Sequence, residues 1–235
     1  MSEHGEWFPS AEWLEAYGET LNDDETYRTE SEGWGVDFEG DFLFAITDLP
    51  VEERTVGDLP EALSAAVRES LESLSEARCR ALRQSAPPAF EARLDAASGD
   101  PCDRLAAAFL STPLAECPDV TWPALRAELS EDVRTLLDQF DRYVHGDTVY
   151  AYLDLRDGTC EAVEVLESPS ARDPGFALTG PYEEWLALVE GEDVLESVLG
   201  DDLSLDGSVT TVMSYAGAAE AMGDAAGRVE TRALF

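Results

Sequence analysis

The first hydrophobic residues of the chain recur at the spacing of an α-helix. Pro9 and Ser10 open this helix, with Ser10 placed to cap it, and Asn22 and Asp23 are expected to end it. Four large side chains would share its buried face: Trp13, Leu14, Tyr17 and Leu21. The pattern therefore predicts one amphipathic helix near the start of the sequence.

A spacing of two residues replaces the helical spacing further along. Trp34, Val36 and Phe38 alternate with small or charged residues, and residues 42–47 form a continuous apolar run. Such a run between turn residues is typical of a buried strand. We therefore expect the first strands of a sheet here, ending at Pro50.

Residues 51–146 are rich in Ala, Leu, Glu and Arg and contain few β-branched residues, which predicts a helical insertion. Asp58 and Glu61 have the spacing of a capping box, while Thr121 is expected to cap a long final helix. Two apolar stripes mark the longest helices: Leu63, Val67, Leu71 and Leu74, then Leu125, Leu129, Val133, Leu136, Phe140 and Val144. Packing within the core and a dimerisation face both explain such stripes.

Beyond Gly146 the alternation of a strand returns, and Asp157-Gly158 has the sequence of a hairpin turn. A third strand is expected at residues 176–179, followed by two helices and a brief strand at Leu203 and Leu205. One closing helix is predicted from about Ser208. The last eight residues fit either an added edge strand or a tail.

The charge of the chain is strongly negative. It has 51 acidic residues, 15 arginines and no lysine, for a formal net charge of −36. Such a balance excludes an ordinary basic nucleic-acid binder. The acidic residues are spread along the whole sequence, which favours a salt-adapted cytoplasmic protein over an acidic tail or a functional acidic surface. Concentrated salt would screen the self-repulsion, so we expect partial unfolding in dilute buffer.

No targeting or metal-binding pattern is present in the sequence. Residues 1–7 lack the basic and apolar regions of a signal peptide. The four cysteines match no zinc spacing and are expected to be reduced, buried thiols: Cys79, Cys102, Cys117 and Cys160. Only two histidines occur, His4 and His145, and the sequence contains no nucleophile or phosphate-binding motif. Both observations argue against an enzyme, a metal site or a cofactor.

Several segments together resemble the sterol carrier protein type 2 domain. The similarity covers about residues 148–222: a strand over 176–180, a helix with Tyr182 and Trp185, a break at 189–193 and the short strand over 203–207. It also reaches the start of the chain, through residues 8–17, Trp34 and residues 40–42. The helical insertion departs from the usual pattern of the family.

The resemblance implies an α+β fold with about five mostly antiparallel strands, one face of which is covered by helices. Residues 1–50 and 147–235 would form the sterol-carrier-like part, and residues 51–146 the all-helical insertion. The family binds a lipid in an apolar tunnel between sheet and helices without catalysis. The expected ligand contacts are Phe42, Phe44, Phe176, Leu178, Trp185, Val189, Val212 and Met213, each of which could equally be ordinary core.

The expected partner is an apolar small molecule such as an acyl or isoprenoid chain, or a sterol. Membrane contact would be transient at most, because no basic face is available for anionic lipids. The alternative is a protein-interaction or dimerisation module that uses the helical insertion and holds no ligand. The sequence does not rank a lid, a homodimer interface or a core role for that insertion.

Overall fold

The computed structural model describes residues 6–235, so His4 lies outside the described part. Contacts divide the chain into two compact units. We call the first the sheet unit, which comprises the residues up to Leu49 and Asp147–Leu234. The second, the helical unit, comprises Pro50–Gly146 and Phe235. The assignment of these parts to domains stays a prediction.

The strands all belong to the sheet unit. They are β1 (Glu6–Phe8), β2 (Phe42–Thr47), β3 (Val149–Arg156), β4 (Thr159–Leu166), β5 (Phe176–Pro181), β6 (Ser204–Asp206) and β7 (Thr231–Ala233). Five of them form one sheet in the order β4-β3-β2-β5-β6, in which only β2 and β5 run parallel. The predicted α+β class with a mostly antiparallel five-stranded sheet is confirmed.

Thirteen α-helices are found in the described residues. They are α1 (Ala11–Asp23), α2 (Glu25–Glu30), α3 (Glu61–Glu72), α4 (Glu76–Gln84), α5 (Pro88–Ala96), α6 (Pro101–Leu110), α7 (Cys117–Val120), α8 (Pro123–Arg126), α9 (Glu131–Tyr143), α10 (Tyr182–Val189), α11 (Val194–Leu199), α12 (Val209–Ser214) and α13 (Ala216–Ala226). Helices α3 to α9 lie in the helical unit.

Local sequence signals position the first helix and the hairpin as predicted. The Ser10 hydroxyl oxygen accepts the Trp13 backbone N–H at 3.1 Å and so caps α1. Asp157 and Gly158 both have positive φ, at 45° and 80°, as the tight turn between β3 and β4 requires. The Asn22 side chain then joins α1 to β4, because it donates to the Cys160 carbonyl and accepts its N–H, each at 2.9 Å.

The strand predicted from Trp34, Val36 and Phe38 is wrong. Those residues form turns, and the acidic stretch before them folds into the unpredicted helix α2. The alternation of large side chains here reflects aromatic packing and not a strand. The Trp34 ring stacks on Phe42 at 5.7 Å, and the indole N–H of Trp34 donates to the Gly40 carbonyl.

The long helices predicted by the apolar stripes are each interrupted. Asp58 caps nothing at α3; its carboxylate accepts from Thr55 in a separate 3₁₀ turn. Ser75 starts a new helix, α4, and Ser130 starts α9, because serine side chains cap these ends. The Thr121 hydroxyl caps no helix and has no hydrogen-bond partner. The closing helix predicted from Ser208 is likewise divided at Tyr215, into α12 and α13.

Two of the four cysteines are not reduced thiols. Cys79 on α4 and Cys102 on α6 form a disulfide, with their Cα atoms 5.3 Å apart. Their separation of 23 positions in sequence gives no sign of this, because only the packing of the two helices brings the sulfur atoms together. Cys117 and Cys160 are free and buried, as expected.

The C-terminal segment forms a strand. β7 pairs in parallel with β1, so that Phe8 faces Ala233 in a separate two-stranded sheet. Within residues 6–235, no helix is long and apolar enough to cross a membrane.

Candidate ligand cavity

An apolar cavity of about 110 Å³ lies in the sheet unit, between one face of the five-stranded sheet and the helices over it. Phe42, Phe44 and Ile46 of β2 all face it, because alternate residues of a strand point to the same side. The neighbouring strands add Val149, Ala151, Val165, Leu178 and Leu205. The cavity is smaller than the few hundred Å³ typical of a ligand pocket.

Five helices and the segment before α1 complete the wall of this cavity. Their residues are Phe8, Pro9, Ser10, Trp13, Leu14, Tyr17, Trp185, Leu188, Val189, Val194, Leu195, Val198, Leu199, Val209, Val212, Met213, Ala219, Met222, Gly223 and Ala226. No charged side chain occurs in the described lining, so the cavity offers an apolar surface to whatever enters it.

The few polar groups of the lining are already bonded to the protein. The indole N–H of Trp13 donates to the Thr231 hydroxyl at 2.7 Å. The indole N–H of Trp185 donates to the Ala45 carbonyl at 3.3 Å. These bonds remove two buried donors that would otherwise require a polar ligand.

Tyr17 is the third polar side chain in the wall. Its hydroxyl donates to the carbonyl of Met222 at 3.2 Å, which links α1 to α13. Burial raises the pKa of the Tyr17 phenol well above its ordinary value, so the group stays neutral. It therefore adds no charge to the cavity.

The mouth of the cavity is marked by lining residues that are also exposed to solvent. Leu199 is 68% exposed, Val209 48% and Met213 46%. They lie on the short helices α11 and α12, and no residue of α12 is fully buried. The opening therefore lies where α11 and α12 meet the solvent.

A second cavity of about 30 Å³ adjoins the first. Phe42, Val212, Ala219 and Met222 line both cavities. These four side chains therefore form the partition between them. Because the thioether of Met222 is unbranched and flexible, it is the member of the partition that can most easily change its rotamer.

Seven of the eight predicted ligand contacts face the cavity. They are Phe42, Phe44, Leu178, Trp185, Val189, Val212 and Met213. Phe176 is not in the described lining; its ring packs against Trp34 at 5.1 Å and stacks on Phe42 at 5.2 Å. That any of these residues contacts a ligand stays a prediction.

Sequence reasoning missed the contributions of α1 and α11 to the lining. The spacing of Trp13, Leu14 and Tyr17 predicts a buried face of α1. The same spacing is found whether that face packs tightly against other side chains or lines a cavity. A usable signal existed in α11, where paired apolar residues recur within six positions. A helix this short cannot bury them all, so some must face a cavity or solvent.

One family model matches part of the chain. The family model described as the SCP-2 sterol transfer family matches residues 124–220, a range that begins within α8 and includes all of α9. No curated protein matches the sequence significantly. Helix α9, assigned from the sequence to the insertion, thus falls inside the matched range.

Two solved structures are similar to this chain. A crystal structure of sterol carrier protein 2 is 16% identical, with 94% of this chain and 97% of that chain covered and a TM-score of 0.47. A solution structure of a conserved hypothetical protein from Thermus thermophilus is also 16% identical, with coverages of 96% and 93% and a TM-score of 0.46. The resemblance predicted from the sequence is confirmed by the family match: residues 124–220 of this chain match the SCP-2 sterol transfer family.

Proposed function

We propose that this protein binds the apolar chain of a lipid, or another apolar small molecule, in the cavity of the sheet unit. The observation that carries the proposal is the cavity wall, which is apolar, has its two indole N–H groups bonded internally and includes exposed side chains of α11 and α12. The family match supports the same class of ligand, since that family is described as one of sterol transfer.

The hydrophobic effect can supply the binding energy. Each methylene group transferred from water into such a cavity contributes about 0.8 kcal/mol. Ordering costs are subtracted from this sum, so a chain of several carbons is needed for useful affinity. A chain of that length exceeds the present volume of about 110 Å³. We therefore expect α11 and α12, which form the mouth, to move outward when the ligand enters.

We further propose that binding involves no catalysis. The described lining contains no histidine, cysteine, carboxylate or arginine that could act as an acid, base or nucleophile on a bound molecule. Its hydroxyl groups belong to Ser10, which caps α1, and Tyr17, which donates to a backbone carbonyl. Both groups therefore have a structural role.

The alternative role, an interaction module built on the helical insertion, is not favoured. The two apolar stripes that could have formed a dimer face are mostly buried in the folded chain: Leu63 is 4% exposed, Val67 0% and Phe140 5%. A partner would have no continuous apolar stripe to cover, because these side chains already pack inside the protein.

Gly223 allows the cavity to be filled from one position. It lies on α13 and lines the cavity, and a Cβ atom added there would meet only Val194 Cγ1, at 4.0 Å. We expect Gly223→Phe to place its ring in the cavity and abolish binding. Gly223→Ala is the matched control: it should keep binding and stabilise α13 by roughly 0.5–1 kcal/mol.

Binding can be measured with 10-bromo-1-decanol, whose bromine quenches tryptophan fluorescence at short range. Trp13 and Trp185 both line the cavity and act as reporters. The parent chain and Gly223→Ala should be quenched with saturation. A Gly223→Phe variant that keeps the parent circular dichroism spectrum yet binds equally well would contradict the proposal, as would absence of saturable quenching in the parent chain.

A further inference from the structure

We infer that the cavity selects molecules whose head group carries no negative charge, such as alcohols, over carboxylates and phosphate esters of the same chain length. The inference rests on the proposed function and narrows its ligand class. It follows from two independent features: the hydrogen bonds within the cavity wall and the charges around its mouth.

The first feature is that three of the four side chains with N–H or O–H groups in the cavity wall already donate to the protein. A buried anion needs several N–H or O–H donors or a cation to offset its desolvation. The indole N–H groups of Trp13 and Trp185 and the hydroxyl of Tyr17 already donate to oxygen atoms of the protein. Ser10 accepts the Trp13 N–H and retains one hydroxyl proton, which suits a neutral oxygen but does not compensate a full charge. An anionic head group must therefore stay outside.

The second feature is the charge that such a head group meets outside. Residues 173–227 contain β5, β6 and α10 to α13, which supply much of the lining and both mouth helices. This segment contains 12 acidic residues and no arginine, lysine or histidine. A carboxylate or phosphate at the mouth would be repelled by this surplus at moderate ionic strength.

Three exposed acids lie next to the lining residues of the mouth in sequence. Asp201 and Asp202 follow α11, and Asp206 ends β6 one residue after Leu205, a member of the cavity wall. Two arginines of the sheet unit form ion pairs with other acids. Arg172 pairs with Glu164, and Arg228 pairs with Asp24.

The test compares two probes that differ only in the head group. 10-Bromo-1-decanol and 10-bromodecanoate carry the same chain and the same quencher, and at about pH 8 the acid is fully ionised. In the lowest salt at which circular dichroism shows the native fold, we expect the carboxylate to bind at least about tenfold more weakly. The difference should narrow as salt is raised, because the repulsion is screened.

A variant with Asp201→Asn, Asp202→Asn and Asp206→Asn tests the source of the selectivity. Asn is nearly isosteric and tolerates the positive φ of 67° found at Asp201. The ratio of the two dissociation constants should fall severalfold in this variant. The control is Glu52→Gln, Glu53→Gln and Glu69→Gln, three exposed acids of the helical unit that give the same change of net charge.

The outcomes separate this inference from the proposed function. If neither probe quenches the tryptophans with saturation, the proposed function itself fails. If both bind with equal strength, or the carboxylate binds more tightly, the function stands and the inference about the head group is wrong. If the ratio of the two dissociation constants falls equally in both variants, the selectivity comes from the net charge of the protein. That result would contradict the role of the mouth acids.

Discussion

The two units of this protein differ in how their charges are balanced. The helical unit has 18 acidic residues and ten arginines, a formal charge of −8. The sheet unit has 33 acidic residues and five arginines, a formal charge of −28. The surplus of negative charge is thus concentrated in the unit that contains the cavity.

The units also differ in what holds them together. The helical unit contains a disulfide and several ion pairs, among them Arg78 with Glu128 and Arg83 with Asp95. The sheet unit has the ion pairs of Arg172 with Glu164 and of Arg228 with Asp24, and its core contains the cavity, with exposed apolar residues at the mouth. The comparison teaches that a high acidic content need not weaken a fold uniformly, because self-repulsion depends on how the compensating arginines are distributed.

The largest effect is expected from removing salt. Dilution should unfold the sheet unit before the helical unit, since its self-repulsion is greater and is no longer screened. Hydrogen exchange measured by mass spectrometry across a salt series can follow β2 and α6 separately. Loss of protection in both at the same salt concentration would show that the charge difference does not decide stability.

Truncation of a core side chain should affect the two units differently. Leu105 of α6 is fully buried, so Leu105→Ala should cost about 2–5 kcal/mol. Met213 is nearly half exposed, and Met213→Ala should cost less than about 0.5 kcal/mol. Urea titration of both variants in high salt measures the two costs. Equal costs would mean that the mouth is as tightly packed as the helical core.

A smaller effect is expected at Asp24, which caps α2. The hydrogen bond from the Tyr27 N–H, at 2.9 Å, and the ion pair with Arg228 hold the pKa of this carboxyl below its ordinary value. Its charge therefore stabilises the folded state above about pH 4, and this contribution is lost as the pH falls through the lowered pKa.

Two substitutions separate the charge of Asp24 from its capping bond. Asp24→Ala should cost about 1 kcal/mol at neutral pH, whereas Asp24→Asn keeps an acceptor for the Tyr27 N–H and should cost less. Thermal unfolding at about pH 7 and about pH 3 is the measurement. Both differences should shrink at the lower pH, and differences that persist there in full would exclude an effect of the carboxylate charge.

Features set by short-range sequence signals could be predicted. The Ser10 cap, the Asp157-Gly158 turn and the bounds of β2 follow from the preferences of a few neighbouring residues. Helix interruptions were missed because the apolar stripe continues across the break before Ser130, where the serine cap starts a new helix. A stripe of hydrophobic residues indicates which side chains are buried. It does not indicate whether they belong to one continuous helix.

The candidate site was predictable only in part. Alternation in β2 and β5 identified which side chains share a face, so Phe42, Phe44 and Leu178 were found together. The cavity itself was not predictable, because a gap between layers depends on side-chain volumes contributed by distant segments. The same limit explains the disulfide between Cys79 and Cys102, whose proximity is a property of helix packing.

The methionines give the cavity a property that is useful for spectroscopy. The chain has three, and the two in the described residues, Met213 and Met222, both line the cavity. Isotope labelling of methionine methyl groups would therefore produce a sparse NMR spectrum in which both assigned probes report on the cavity. Oxidation of either sulfur to the sulfoxide would make this apolar wall polar, so stored protein should lose ligand affinity before it loses its fold.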